Sequence, residues 1–220
     1  MSSREDILGR VRAALGRDER NAASGRAAVA KTIAARAQGP RIAFTTEKSA
    51  LAARFREKSE TLSSSVDAVA SFADAPAAAA RYLAAQELPL TAVIWPALDG
   101  LDWAGAGLSV AARGAADADL TGITGCFCAI AETGTLMLCG SPSTPATVSL
   151  LPETHIALVP ASRIVAGMEE AFALARAELG QLPRAVNFVS GPSRTGDIEQ
   201  TIVLGAHGPY RVHLILVEGE

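Results

Sequence analysis

His155-Ile-Ala-Leu-Val159, Met168-Glu-Glu-Ala-Phe-Ala-Leu-Ala-Arg-Ala-Glu-Leu179 and Ala185-Val-Asn-Phe-Val189 decide the fold class. The first is a short apolar run stopped by Pro160, the signature of a strand buried on both faces. The second places Met168, Phe172 and Leu179 at helical spacing, and its length suits a surface helix. The third is another β-type run. Strand, helix and strand in succession make a βαβ unit, and such units build parallel sheets covered on both faces.

The same alternation extends outward. Toward the N-terminus, Arg41–Thr46 reads as a strand and Ser49–Leu62 as a helix with Leu51, Phe55 and Leu62 on one face. Val66–Phe72 fits either state. Ala75–Gln86 is alanine-rich and helical, and Ala92–Trp95 is a strand ended by Pro96. Ala118–Thr135 reads as turn and helix, and Thr135–Cys139 as a strand. Toward the C-terminus, Thr201–Leu204 and Val212–Val217 are joined across Gly205-Ala-His-Gly-Pro209, too short for a helical crossover, so an antiparallel hairpin is expected. The prediction is an α/β fold: a three-layer α/β/α sandwich around a mostly parallel sheet with a mixed edge.

Residues 1–38 differ from the rest. Ser3 can cap a helix in which Ile7, Leu8, Val11 and Leu15 recur at helical spacing, while residues 16–39 are rich in Ala, Arg and Gly. The expected organisation is an N-terminal helical arm and linker over 1–38 and one α/β domain over 39–220.

Composition limits the function. The chain has 220 residues, 20 Lys+Arg and 23 Asp+Glu, a formal charge of −3, and nearly half its residues are apolar, enough to bury a core. No basic block with interleaved aromatics appears, so no nucleic-acid partner is expected. The longest uncharged stretch, Thr133 to Pro152, contains Gly134, Gly140, Pro142 and Pro145, so no membrane span is expected. The N-terminus carries Arg4, Glu5 and Asp6 with no apolar stretch of a secretory leader. Three cysteines, Cys126, Cys128 and Cys139, form neither a disulfide framework nor a four-thiolate iron–sulfur ligand set. The three histidines lack metal-ligand spacing, so no metal site is indicated. The expected location is the reducing cytoplasm.

Chemistry is sought at strand ends, where ligands collect in open α/β sheets. Ser190-Gly-Pro-Ser-Arg-Thr-Gly-Asp-Ile-Glu199 follows the strand ending at Val189. Gly191 and Gly196 permit tight turns, Ser193 or Thr195 can cap a short helix containing Ile198 and Glu199, and Arg194 adds a planar cation. Backbone N–H groups converging beside a guanidinium suit a carboxylate or a phosphate. The competing reading is a structural loop in which Arg194 pairs with Asp197 or Glu199. Glu132, in Ala131-Glu-Thr-Gly-Thr135, is a candidate general base or nucleophile, or else an acceptor for its own turn. His207, between Ala206 and Gly208, is a candidate acid/base or a plain hairpin residue. The candidate catalytic residues are thus Glu132 and His207; the candidate ligand-binding residues are Ser190, Gly191, Ser193, Arg194, Thr195, Thr133 and Gly134.

Several stretches, taken in order, resemble the LUD-domain family: Thr121-Gly-Ile-Thr-Gly125, Ala129-Ile-Ala-Glu-Thr-Gly-Thr-Leu136, Ser149-Leu-Leu-Pro-Glu-Thr-His-Ile-Ala-Leu-Val-Pro160, the Ser190–Glu199 loop and Gly205–Pro209. The similarity is dense over about residues 118–217 and looser upstream. The chain departs from the family pattern before Ser149, where it reads Ser143-Thr-Pro-Ala-Thr-Val148 in place of a segment that often carries a polar or basic residue. The resemblance implies a sheet fold like that of the ribose-5-phosphate isomerase and CoA-transferase group. It also implies a cytoplasmic role in oxidising L-lactate to pyruvate, as an accessory subunit beside two iron–sulfur subunits that carry the clusters. The alternative is a stand-alone isomerase or acyl/CoA-transferase-type enzyme using Glu132.

Overall fold

The structure is a computed structural model that describes residues 3–37, 39–40, 47–195 and 203–219, with only the backbone of Glu19. The strand expected over Arg41–Thr46, and the residues Gly196, Asp197, Ile198 and Glu199, lie outside the described residues. The chain divides into two compact units, residues 1–43 and 44–220.

The first unit holds two helices, α1 (Ser3–Ala14) and α2 (Glu19–Ala35). The second occupies the stretch expected to be linker. Asp18 starts it: its carboxylate accepts from the backbone N–H groups of Arg20 and Asn21, and the Asn21 side chain accepts from the Asp18 N–H. This reciprocal cap satisfies donors that a helix start leaves orphaned, and the high alanine content does the rest. Ile7, Val11, Leu15, Val29 and Ile33 remain exposed.

The second unit runs α3 (Lys48–Thr61), β1 (Ser65–Val69), α4 (Ala75–Ala85), β2 (Thr91–Ile94), β3 (Ser109–Ala112), β4 (Thr121–Thr124), β5 (Cys128–Ile130), β6 (Thr135–Cys139), α5 (Thr147–Leu150), β7 (Thr154–Pro160), β8 (Ile164–Val165), α6 (Met168–Leu179), β9 (Val186–Val189), β10 (Arg194–Thr195), β11 (Val203–Leu204) and β12 (Arg211–Val217). Six strands form a sheet in the order β1-β12-β7-β4-β2-β3, and every pairing in it is parallel. Its central strands β7 and β12 are buried on both faces, so each carries a continuous apolar run after its first polar residues. Along β12, Ile215 and Val217 face α4, whereas Val212, Leu214 and Leu216 face α3. Helix α4 presents Ala75, Ala78, Ala79 and Leu83 to the sheet, small residues that allow close approach.

Three expectations are corrected. The run β7, α6, β9 is not a βαβ unit of one parallel sheet, because β7 pairs in the six-stranded sheet whereas β9 pairs antiparallel with β6 in another. The last two strands do not form a hairpin: β12 lies inside the parallel sheet between β1 and β7, while β11 pairs antiparallel with β10 in a separate ribbon. The Gly205–Pro209 turn is not a hairpin tip but the lead into a central strand. The segment Ala118–Thr135 is not helical; it supplies β4 and β5. Its small residues suit strands because other backbone presses on them, as Gly122 shows below.

The sequence also did not reveal a second sheet, β8-β5-β6-β9, with antiparallel β5–β6 and β6–β9 pairs. Together with α3 it covers one face of the main sheet, through Ala129, Leu136, Leu51 and Phe55. Helix α6 covers the far side of this second sheet, burying Ala171 and Ala175 against Cys128, Ile130 and Met137. Among the described residues no helix is long and apolar enough to cross a membrane.

Candidate functional site

The residues singled out in the sequence gather largely around the end of one helix. Helix α3 closes with Ser64 N–H donating to Ser59 O and Ser63 N–H to Glu60 O, with Ser63 at φ 69°. That is a Schellman ending with serine at the left-handed position usually taken by glycine. Arg194 Nη2 donates to Leu62 O at 3.0 Å and to Ser63 Oγ at 2.6 Å. The guanidinium thus satisfies an orphaned carbonyl and opposes the negative end of the helix dipole.

The two glycines of the predicted cradle serve the same contact. A Cβ on Gly134, at φ 64°, would sit 2.5 Å from the Ser59 amide nitrogen. One on Gly191, at φ 79°, would clash with the Leu62 carbonyl oxygen. Ser190 Oγ lies 2.7 Å from Thr135 Oγ1, to which Thr133 Oγ1 donates at 2.8 Å. Thr133, Gly134, Ser190, Gly191 and Arg194 are therefore assembled against the last turn of α3. Ser193 N–H donates to Pro209 O and Gly205 N–H to Ser193 O, so Ser193 meets the turn that carries exposed His207. Thr195 lies in the β10–β11 ribbon, and the short helix expected after it falls outside the described residues.

The position of this cluster in the sheet differs from the expected one. The Ser190 loop follows β9, a strand of the second sheet. Its neighbours Ser63, Pro209 and Leu150 precede β1, β12 and β7, so it sits at the amino ends of the main strands. Arg194→Ala should cost about 1 kcal/mol of stability, the value of a helix-end charge with its hydrogen bonds. Chemical denaturation measures this, and calorimetry with lactate, pyruvate and sugar phosphates tests the anion reading: heats that vanish in the variant would support it.

Glu132 sits apart from Arg194's contacts. Its N–H donates to Ala166 O, and its Oε2 lies beside Gly167, together with carboxylate oxygens of Glu169 and Glu170. Gly167 is the N-cap of α6, a position where a helix dipole favours carboxylates.

The carboxyl ends of the main strands hold a different site. From β2 the chain winds outward to β3; from β4 it winds the other way, to β7 and β12. The loops leaving β2 and β4 diverge, and a crevice opens at such a switch point. A cavity of about 420 Å³ lies there. Trp95, directly after β2, and Cys126 and Phe127, directly after β4, form its inner wall. Cys139, Gly140, Ser141 and Thr144 flank it, and Leu179, Gln181 and Pro183 close the outer side.

The walls are held in place. Trp95 Nε1 donates to Pro145 O at 3.0 Å, and Ala97 N–H to Ser143 O at 3.1 Å. Thr144 Oγ1 donates to Cys139 O at 2.7 Å and lies 2.8 Å from Ser141 Oγ. Arg163 Nε donates to Phe127 O at 2.8 Å, while its two terminal nitrogens grip the Glu178 carboxylate of α6 at 2.7 and 2.9 Å. Burial, and the neighbouring Cys128 thiol, push the Cys126 thiol up to about 12, so it stays protonated at neutral pH. Glu132 cannot act in this crevice. It lies beyond the opposite end of β6, which spans about 14 Å at strand rise.

The crevice residues escaped the sequence reading because the strand order, not any local motif, brings Trp95 beside Cys126. The one available signal was the Trp95-Pro96 stop at a strand's carboxyl end. Among the described residues no group of three or more His, Cys, Asp and Glu is arranged to hold a metal ion. The two remaining histidines are structural: His155 Nε2 lies 2.8 Å from Thr124 Oγ1, and His213 stacks on Tyr82 at 3.8 Å with Nδ1 2.8 Å from Ser65 Oγ.

Comparison with known proteins adds the following. The profile of the LUD domain matches residues 52–217. A lactate utilization protein C of Exiguobacterium is 38% identical over 141 residues, 63% of this chain and 61% of that protein. One of Bacillus licheniformis is 41% identical over 100 residues, covering 44% and 42%, and one of Bacillus subtilis 41% over 99 residues, covering 44% and 41%. The chain spans about half the length of these relatives. The crystal structure of a DUF162 family protein from Deinococcus radiodurans superimposes with a TM-score of 0.61 at 26% identity, covering 79% of this chain and 99% of that one.

Proposed function

The chain belongs to the LUD-domain family, and from that membership we propose that it serves lactate utilization. Its role is that of an accessory subunit, without an iron–sulfur cluster of its own, in a cytoplasmic assembly that oxidises L-lactate to pyruvate. The observation that carries this reading is the similarity to relatives named lactate utilization protein C. Oxidation of lactate releases a pair of electrons and a pair of protons, so it needs a redox acceptor. The chain has three cysteines where a four-thiolate cluster needs four. Of these, Cys126 and Cys128 have thiols raised to about 12 by burial, which opposes the deprotonation that metal ligation requires. This favours electron carriers on other polypeptides, and the resemblance implies two iron–sulfur subunits in that role.

The test is reconstitution. The purified chain is combined with two cysteine-rich products of neighbouring genes, and lactate-dependent dye reduction is followed. The expected result is activity in the full set, loss of activity when this chain is omitted, and none from this chain by itself. Full lactate oxidation by the isolated chain would refute the accessory role.

A further inference from the structure

We propose that the crevice between the carboxyl ends of β2 and β4 is a binding site for a small, uncharged, flat molecule, one or two fused rings with a single hydrogen-bonding edge. This inference is independent of the lactate reading, since it concerns a site that lactate does not suit.

Position, size and chemistry each support it. The crevice lies at the point where the winding of a parallel sheet reverses, the default ligand position in open α/β folds. Its volume of about 420 Å³ falls within the usual range of small-molecule pockets. Trp95, Phe127, Leu179 and Pro183 supply flat or apolar walls that favour a ring. Its polar side chains are few: the Ser141 and Thr144 hydroxyls, which lie within hydrogen-bond distance of each other, and the Gln181 amide. Among the described residues no Lys, Arg, His, Asp or Glu side chain lines it. Arg163, which anchors the Phe127 wall, is committed to Glu178 and to the Phe127 carbonyl. A carboxylate or phosphate entering here would lose its water and gain no opposite charge. The hydrogen bonds that tie Trp95 to Pro145 and Thr144 to Cys139 form the walls in advance, so binding requires little ordering.

Two probes with one ring frame and different charge test this: 2-naphthol, neutral at pH 7, and 2-naphthoate. Calorimetric titration of the full chain should show naphthol binding at least about ten-fold tighter than naphthoate. Leu179→Trp fills the crevice from an exposed position on α6. It should weaken naphthol binding at least about ten-fold while leaving the unfolding midpoint unchanged. Should that variant not fold, Gln181→Trp, on the exposed segment after α6, takes its place. Equal or tighter binding of naphthoate would overturn the proposal. So would naphthol binding that survives the filling substitution, or no naphthol binding at about 1 mM.

Discussion

Gly122→Ala is expected to destabilise the protein by about 3 kcal/mol or more, at the upper end of what overpacking a core costs. Gly122 lies in the middle of β4, where one turn of helix, α5, packs directly on the strand backbone. A Cβ there would run into the Val148 carbonyl oxygen and stand 3.0 Å from Pro152 Cγ. The obstacle is backbone, which cannot swing aside as a flexible side chain can. Val148 is itself fully buried, and Gly122 sits in the register Gly122↔His155 between two central strands. Either α5 lifts off, exposing Val148, or β4 bends out of the sheet.

The effect extends to the crevice. Helix α5 follows the Gly140–Ala146 loop, and Thr147 Oγ1 accepts from the Ala115 N–H at 3.1 Å. Lifting α5 pulls on both. Gly100→Ala is the control, since a Cβ at Gly100 meets nothing within 4 Å. Urea unfolding of both variants, with the slope held constant, measures the difference. A cost for Gly122→Ala of under about 1 kcal/mol would show that α5 is not pressed on β4.

The second large effect is acid destabilisation between about pH 6.5 and pH 4. Burial lowers both His155 and His213 from 6.5 to about 4. For His213 the Asp67 charge and the Ser65 hydrogen bond act the other way, but burial prevails. Above pH 6.5 both rings are neutral in folded and unfolded chains alike. As pH falls below 6.5 the unfolded chain takes up protons that the folded chain refuses, so stability drops until the folded rings protonate near pH 4. The linkage relation gives the same sign, since the unfolded state binds more protons across this window.

A shift from 6.5 to about 4 is worth about 3 kcal/mol per ring, so the pair rivals the whole stability of an ordinary domain. Substitutions that keep the hydrogen bond and remove the titration isolate the effect. His155→Gln retains an acceptor or donor at the Nε2 position facing Thr124, and His213→Asn retains one at the Nδ1 position facing Ser65. The double variant should be less stable at pH 7.5, because packing and the Tyr82 stack are disturbed. It should also show a much flatter stability profile between pH 6.5 and 4. A profile as steep as that of the parent would assign the acid transition to other groups.

Several elements were legible in the residues. Met168–Leu179 formed the helix that its spacing predicts, and the apolar run at His155 became the central strand β7. Gly191 was legible as a position of special backbone and has positive φ; Gly134, read only as a candidate ligand contact, has it too, and Gly196 lies outside the described residues. The purpose of Gly191 and Gly134 was not legible. The same Gly-Ser-Arg chemistry that would cradle an anion also accommodates the end of a helix, and the approach of Leu62 and Ser63 could not be read from the residues. Arg194 illustrates the point: its type announces a partner for a negative charge, and among the described residues it meets the Leu62 carbonyl and the Ser63 hydroxyl at a helix end.

By itself the sequence determined the α/β class, the helices α3, α4 and α6 and the strands β2, β6, β7, β9 and β12, because propensity and hydrophobic period act over a few neighbouring residues, and its ordered motifs carried the family. The tertiary structure alone decided which strands pair, that β12 is central and not an edge hairpin, that β5 and β6 belong to a second sheet, and that Trp95 stands beside Cys126 in the wall of a crevice. The reason is physical. An apolar strand buries equally well beside any apolar neighbour, so its partner is chosen by the packing of the whole core, and a site formed between partners exists only once that choice is made.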